Sequence, residues 1–120
     1  MQSARELGDP SFFAKRKLAL AQAQLEAGDA AAGLKTSIES QELSARIGTP
    51  EIELMALLTA ARNSRSLHDY AKPRITRLAQ TNYSRVFQQL WGADNYNSYL
   101  NRPDIKVSRT QLNELLAQKN

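Results

Sequence analysis

Apolar residues recur along this chain at helical spacing. From Pro10 onward Ala14, Leu18, Ala21 and Leu25 fall four, three and four positions apart, one stripe of a helix, and Gly28 follows where a left-handed C-terminal stop belongs. The first helix is predicted near 10–27. Asp9-Pro10 starts it, because the carboxylate accepts a bond from an orphan N–H and Pro at the first helical position has none to satisfy. Asp29 restarts the chain within a residue or two, so a second helix folds back antiparallel, with Ala31, Leu34, Ile38 and Ala45 on one face and Leu43 and Ile47 on the other. A third helix, from Pro50 to about Ser66, turns Leu54, Leu57, Leu58 and Ala61 inward. A fourth carries Ala71, Ile75, Leu78, Ala79, Val86 and Leu90, with Tyr83 beside them, and stops at Gly92. Pro73 is a discord there, calling for a later start or a bend.

The punctuation returns at a spacing of 40 residues. Gly8-Asp9-Pro10 reappears as Gly48-Thr49-Pro50, Gly28-Asp29 as His68-Asp69, and between them Leu18 aligns with Leu58 and Ala21 with Ala61. Such a period marks a stacked repeat, in which each unit buries its apolar face against a neighbour. Residues 2–8 resemble Leu43–Gly48, the end of a second helix, so the chain is expected to begin inside a preceding repeat and to be the C-terminal piece of a longer protein. Past Gly92 the repeat ends. Residues 93–102 read as a short helix or turn bearing Tyr96, Tyr99 and Leu100, closed by Arg102-Pro103-Asp104. Ser108-Arg109-Thr110-Gln111 has the form of a capping box and is expected to start a last helix, with Leu112, Leu115 and Leu116 covering the open end of the stack. Phe87 and Trp91 are expected to glue this cap to the last repeat. The organisation expected is one all-α domain: a helical repeat region 1–92 (end of a preceding repeat 1–8, repeat one 9–48, repeat two 49–92) and a C-terminal cap 93–120.

Leu7-Gly8-Asp9-Pro10, Ala27-Gly28-Asp29 and Ala45-Arg46-Ile47-Gly48 resemble the tetratricopeptide-type helical repeats, in the longer variety of about 40 residues found in bacterial signalling and regulatory proteins. The likeness covers residues 2–66 well and 67–91 loosely. It implies two antiparallel helical hairpins stacked as a superhelix, a protein-binding scaffold, and no catalytic residues.

Composition narrows the chemistry. With 120 residues, five Gly, four Pro and no Cys, the chain suits a single helical domain and excludes zinc–cysteine sites, thiol catalysis and a disulfide framework. No stretch approaches a membrane span, and a cytoplasmic setting is expected. Residues 1–60 hold six Lys/Arg against eight Asp/Glu, a net of −2, while residues 61–120 hold ten against four, a net of +6. The basic character lies in the second half. His68, the single histidine, falls in an interhelical turn and reads as a helix-end residue. Glu39 with Glu42, and Glu51 with Glu53, read as solvated surface, the latter pair also favoured beside a helix N-terminus. No nucleophile–base pair, metal-ligand spacing or phosphate loop is visible, so neither an enzyme nor a cofactor or metal site is expected.

The function expected is an interaction scaffold that takes a peptide or helix in a groove between the first and third helices, with Lys15, Arg16, Gln22, Arg62 and Arg65 as candidate partner-binding residues. Two alternatives stand beside it. The open repeat end offers a raw apolar face through which two copies could pair as a homodimer. Arg74, Arg77 and Arg85 fall within about 80° of one another around the fourth helix, a ridge suited to nucleic acid or another polyanion.

Overall fold

The computed structural model describes residues 9, 11–68, 71–90 and 92–117, and they form an all-α domain: α1 Phe12–Glu26, α2 Ala30–Ile47, α3 Pro50–Ser66, α4 Lys72–Gln89, α5 Ala93–Leu100 and α6 Pro103–Ala117. The expected likeness of residues 2–8 to a helix end lies outside the described residues, as do Asp69 and Trp91.

The first helix starts at Phe12, two residues later than Asp9-Pro10 predicts, with Ser11 as its N-cap; Pro10 lies outside the described residues, and Asp9 braces the entry instead. The Asp9 carboxylate accepts from the Ser11 N–H (2.9 Å) and the Ser11 hydroxyl (2.7 Å), bonds that hold it below the usual carboxylate range. At the far end of α1 the Asp29 N–H donates to the Gln24 carbonyl and the Gly28 N–H to that of Leu25, a Schellman closure that needs the left-handed φ of +83° at Gly28. Asp29 then caps α2 by accepting from the Ala32 N–H at 3.2 Å. His68, forty positions beyond Gly28, adopts the same left-handed conformation with φ +62°, so the turn geometry recurs although the glycine does not.

Two later joints also differ from expectation. Pro73 sits in the first turn of α4, where its missing N–H costs nothing; the helix starts at Lys72 and the discord disappears. Ser108 does not cap the last helix, because α6 already starts at Pro103, and Ser108 is buried in its middle with its hydroxyl donating to the Met55 sulfur. Arg102-Pro103-Asp104 is itself a start signal, Pro with an acidic residue behind it, of the kind seen at Thr49-Pro50-Glu51. Arg102 ties the two starts together, reaching Glu51 of α3 and Asp104 of α6 (2.8 Å), and its hydrogen bond to Asp104 lowers that carboxyl's pKa.

The core is organised around α3, which packs against α1, α2, α4 and α6. Contacting pairs give the directions: Ser40 with Ala14 and Lys17 with Glu39 run α1 against α2, Gln41 with Glu53 runs α2 against α3, while Met55 with Ser108 and Arg62 with Gln111 set α6 parallel to α3. Leu34 and Ile38 of α2, Leu54, Leu57 and Leu58 of α3, Ile75 of α4, and Ile105 and Leu112 of α6 share one apolar cluster. α6 also meets α4, where Arg109 lies 3.9 Å from the Tyr83 ring centre and the Tyr83 hydroxyl donates to Asn113. Burial pushes the Tyr83 hydroxyl's pKa up, against the opposing pull of Arg109. Phe87 meets Tyr96 of α5 edge to face, a contact between the fourth helix and the C-terminal segment, and stays 61% exposed.

Candidate interaction groove

Glu53, in the first turn of α3, is fully buried, contrary to the solvated role expected of it. A lone carboxylate would not survive there. Its burial is made tolerable by three donors from the two flanking helices: Asn82 Nδ2 of α4 at 2.7 Å, Gln41 Nε2 of α2 at 2.8 Å and an Arg85 guanidinium nitrogen of α4 at 2.9 Å. The network fixes α2, α3 and α4 to one another at a single point. Gln41 Oε1, also buried, has no hydrogen-bond partner among the described residues.

Above this network α2 and α4 stand apart, with α3 beneath them, and the space between is an open groove. Its first part, about 470 Å3, has Leu34 and Ile38 at its floor and Lys35, Glu39, Glu42 and Arg74 at its walls. The second part, about 560 Å3, shares Glu42 and Arg74 with the first and continues past Leu78 to Arg46, Thr81 and Arg85. An ion pair of 3.5 Å between Glu42 and Arg74 spans the groove where the two parts meet. From Ala31 to Arg46 the α2 wall is about 22 Å long at 1.5 Å per residue. The arrangement offers apolar contact along the floor and charged partners of both signs at the rim, which suits a helical or extended segment of another protein.

The expected binding residues do not converge on this groove. Lys15 pairs with Asp9 (3.4 Å) beside a hollow at the α2–α3 turn, Arg16 lies with Phe13, Lys17 and Leu20 on the outer face of α1, and Gln22 is half-buried on the same helix. Arg62 reaches across to Gln111 of α6 (2.9 Å), with Arg65 beside it, because α6 lies along the side of α3 that those two arginines dress. The arginines of the fourth helix divide: Arg74 and Arg85 line the groove, Arg85 turned inward to Glu53, and Arg77 is exposed elsewhere.

No protein-family model matches the chain, and no curated protein and no solved structure matches it at a significant level. Among the described residues no group of His, Cys, Asp or Glu is placed to hold a metal ion, and no helix is long and apolar enough to cross a membrane.

What the expected site lacked was the polar network. Its signal lies in the helical stripes: Asn82 falls seven positions after Ile75 and four before Val86, both buried, Gln41 three after Ile38, and Glu53 four before Leu57. A polar residue in register with the core on each of three consecutive helices announces a shared buried contact.

Proposed function

We propose that this chain is a non-catalytic interaction module of the tetratricopeptide-like kind, with α1–α2 and α3–α4 as two stacked hairpins and α6 as the closing helix, and that it receives a helix or extended segment of a partner protein. The 40-residue echo and the antiparallel pairing of successive helices support the architecture. The observation that carries the function is the groove between α2 and α4, about four turns long and crossed midway by the exposed Glu42–Arg74 pair, with apolar side chains at its floor and charges along its walls.

The test is to pan a display library of amphipathic helical peptides on the full chain and measure the recovered peptides by fluorescence anisotropy. Ala31→Trp and Ala45→Trp, at exposed and half-exposed positions of the groove wall, fill it without touching the core. Recovered peptides are expected to lose about tenfold or more in affinity to these variants, a change of about 1.4 kcal/mol, at unchanged melting temperature. Peptides that bind both variants as tightly as the parent would place the binding surface elsewhere.

A second reading, self-association, is favoured by the outer face of α1, where Phe13 and Leu20 remain 56% and 49% exposed beside Arg16 and Lys17. It predicts a concentration-dependent dimer in light scattering that Phe13→Ser with Leu20→Ser returns to monomer; a parent chain that stays monomeric across the series removes it.

A further inference from the structure

The Arg46 end of the groove differs from the rest, and the difference concerns what binds. Arginines approach from both walls, Arg46 from α2 and Arg74 and Arg85 from α4, with Thr81, whose hydroxyl donates to the Arg77 carbonyl, also lining this end. The acidic groups facing them are Glu42, which meets Arg74 at 3.5 Å with both side chains more than half exposed, and Glu53, buried beneath and bound to Arg85. An exposed pair of that length is held weakly and exchanges readily for a better partner. Arg46 makes no ion pair among the described residues; its position in the last turn of α2 offsets the carbonyl end of that helix, which needs the charge but not the free guanidinium face.

Arg85 is the best placed of the three. Glu53 holds one of its nitrogens, so the guanidinium is fixed in direction while 32% of the side chain stays exposed and its other N–H groups have no acceptor among the described residues. A rigid guanidinium with free donors is a prepared carboxylate receptor.

Resting on the reading of the groove as an interaction site, we infer that its occupant is an acidic amphipathic segment of a partner protein, bound with its carboxylates at Arg46, Arg74 and Arg85 and its apolar side chains over Leu78 and Ile38. Charge complementarity sets the acidic end, since three cations face two anions there and the end is left net positive, with donors on Arg46 and Arg85 free to take a partner's carboxylate. The apolar floor argues against a nucleic-acid strand, whose phosphates would meet the arginines but leave Leu78 and Ala45 without apolar cover.

The probe is a fluorescein-labelled helical peptide of about 15 residues, with Leu at helical spacing and Glu at one end, compared with the same peptide bearing Gln for each Glu. Arg46→Gln with Arg74→Gln is the informative variant, because both are exposed and neither holds Glu53; Arg85 is left intact. The Glu peptide is expected to bind about tenfold more tightly than the Gln peptide at low salt, and the double variant is expected to reduce that preference to about threefold or less, the remainder held by Arg85, while leaving the Gln peptide's affinity unchanged. Equal binding of the two peptides, still lost on filling the groove with Ala45→Trp, overturns the acidic preference and leaves the groove reading intact. Binding of either peptide that ignores Ala45→Trp overturns both. A single-stranded DNA oligonucleotide of equal charge that binds more tightly than the Glu peptide, and is lost in the double variant, replaces the acidic segment with a polyanion.

Discussion

Glu53→Ala is expected to lower the free energy of unfolding by about 3–5 kcal/mol, the range found when one member of a buried ion pair is deleted. The loss arises less from the missing attraction than from what remains. Without the carboxylate, the Gln41 and Asn82 amides lose their shared acceptor inside the core and Arg85 loses its counter-charge. Against a total of about 5–15 kcal/mol for a domain, that is a large share, and chemical denaturation followed by circular dichroism measures it directly. Replacing the charges together, Glu53→Met with Arg85→Met, is expected to recover part of the loss, because no guanidinium is then left without its counter-charge and the methionines refill the space, although the Gln41 and Asn82 amides still lack their acceptor. A loss of under about 1 kcal/mol in Glu53→Ala would show that water reaches the network and that the carboxylate does not organise the three helices.

The same network explains why the groove has the shape it has. α2 and α4 are both joined to Glu53 and only lightly to each other, so the polar contact spaces them while the apolar cluster of α3 lies below. A core of leucine alone would allow the helices to slide; a carboxylate accepting three directed bonds admits one arrangement.

Much of this fold was legible in the chain. The turn chemistry of Gly28-Asp29 and the Pro starts at 50 placed the first three helices to within a few residues, because capping is local and a side chain reaches only its own turn. The start of α6 was missed because Arg102-Pro103-Asp104 serves equally as the end of one element and the beginning of the next, and only the burial of Ile105 against α3 decides between them. Glu53 was misread for a related reason. Beside Glu51 at a helix N-terminus it satisfies a local preference for acid, and nothing within its own helix reveals that Gln41 and Arg85, twelve and thirty-two positions away, will enclose it. The groove itself lies between helices whose sequence periodicity marks their inward faces well and the separation between them not at all.

Gly33→Ala tests how closely α2 and α3 are forced together, and its sign is the informative part. In an ordinary helix interior Ala is favoured over Gly by about 1 kcal/mol. At Gly33 an added Cβ would lie 2.3 Å from Asn63 Oδ1 and 2.8 Å from its Cγ, distances that real carbons do not tolerate. Asn63 cannot swing away at small cost: it is fully buried, and its Nδ2 donates to the Thr59 carbonyl at 2.9 Å. The overlap is expected to outweigh the helical preference, giving a net loss of about 2 kcal/mol by thermal or chemical denaturation. Asn63→Ala removes both the obstructing amide and an Oδ1 that has no partner among the described residues. On that background Gly33→Ala is expected to stabilise by about 1 kcal/mol, so the two substitutions couple by about 3 kcal/mol and the effect reverses sign. If Gly33→Ala stabilises the parent chain outright, α2 and α3 are not in contact at this point. The groove walls would then be free to move relative to the helix beneath them, and a partner would meet a surface it must first order.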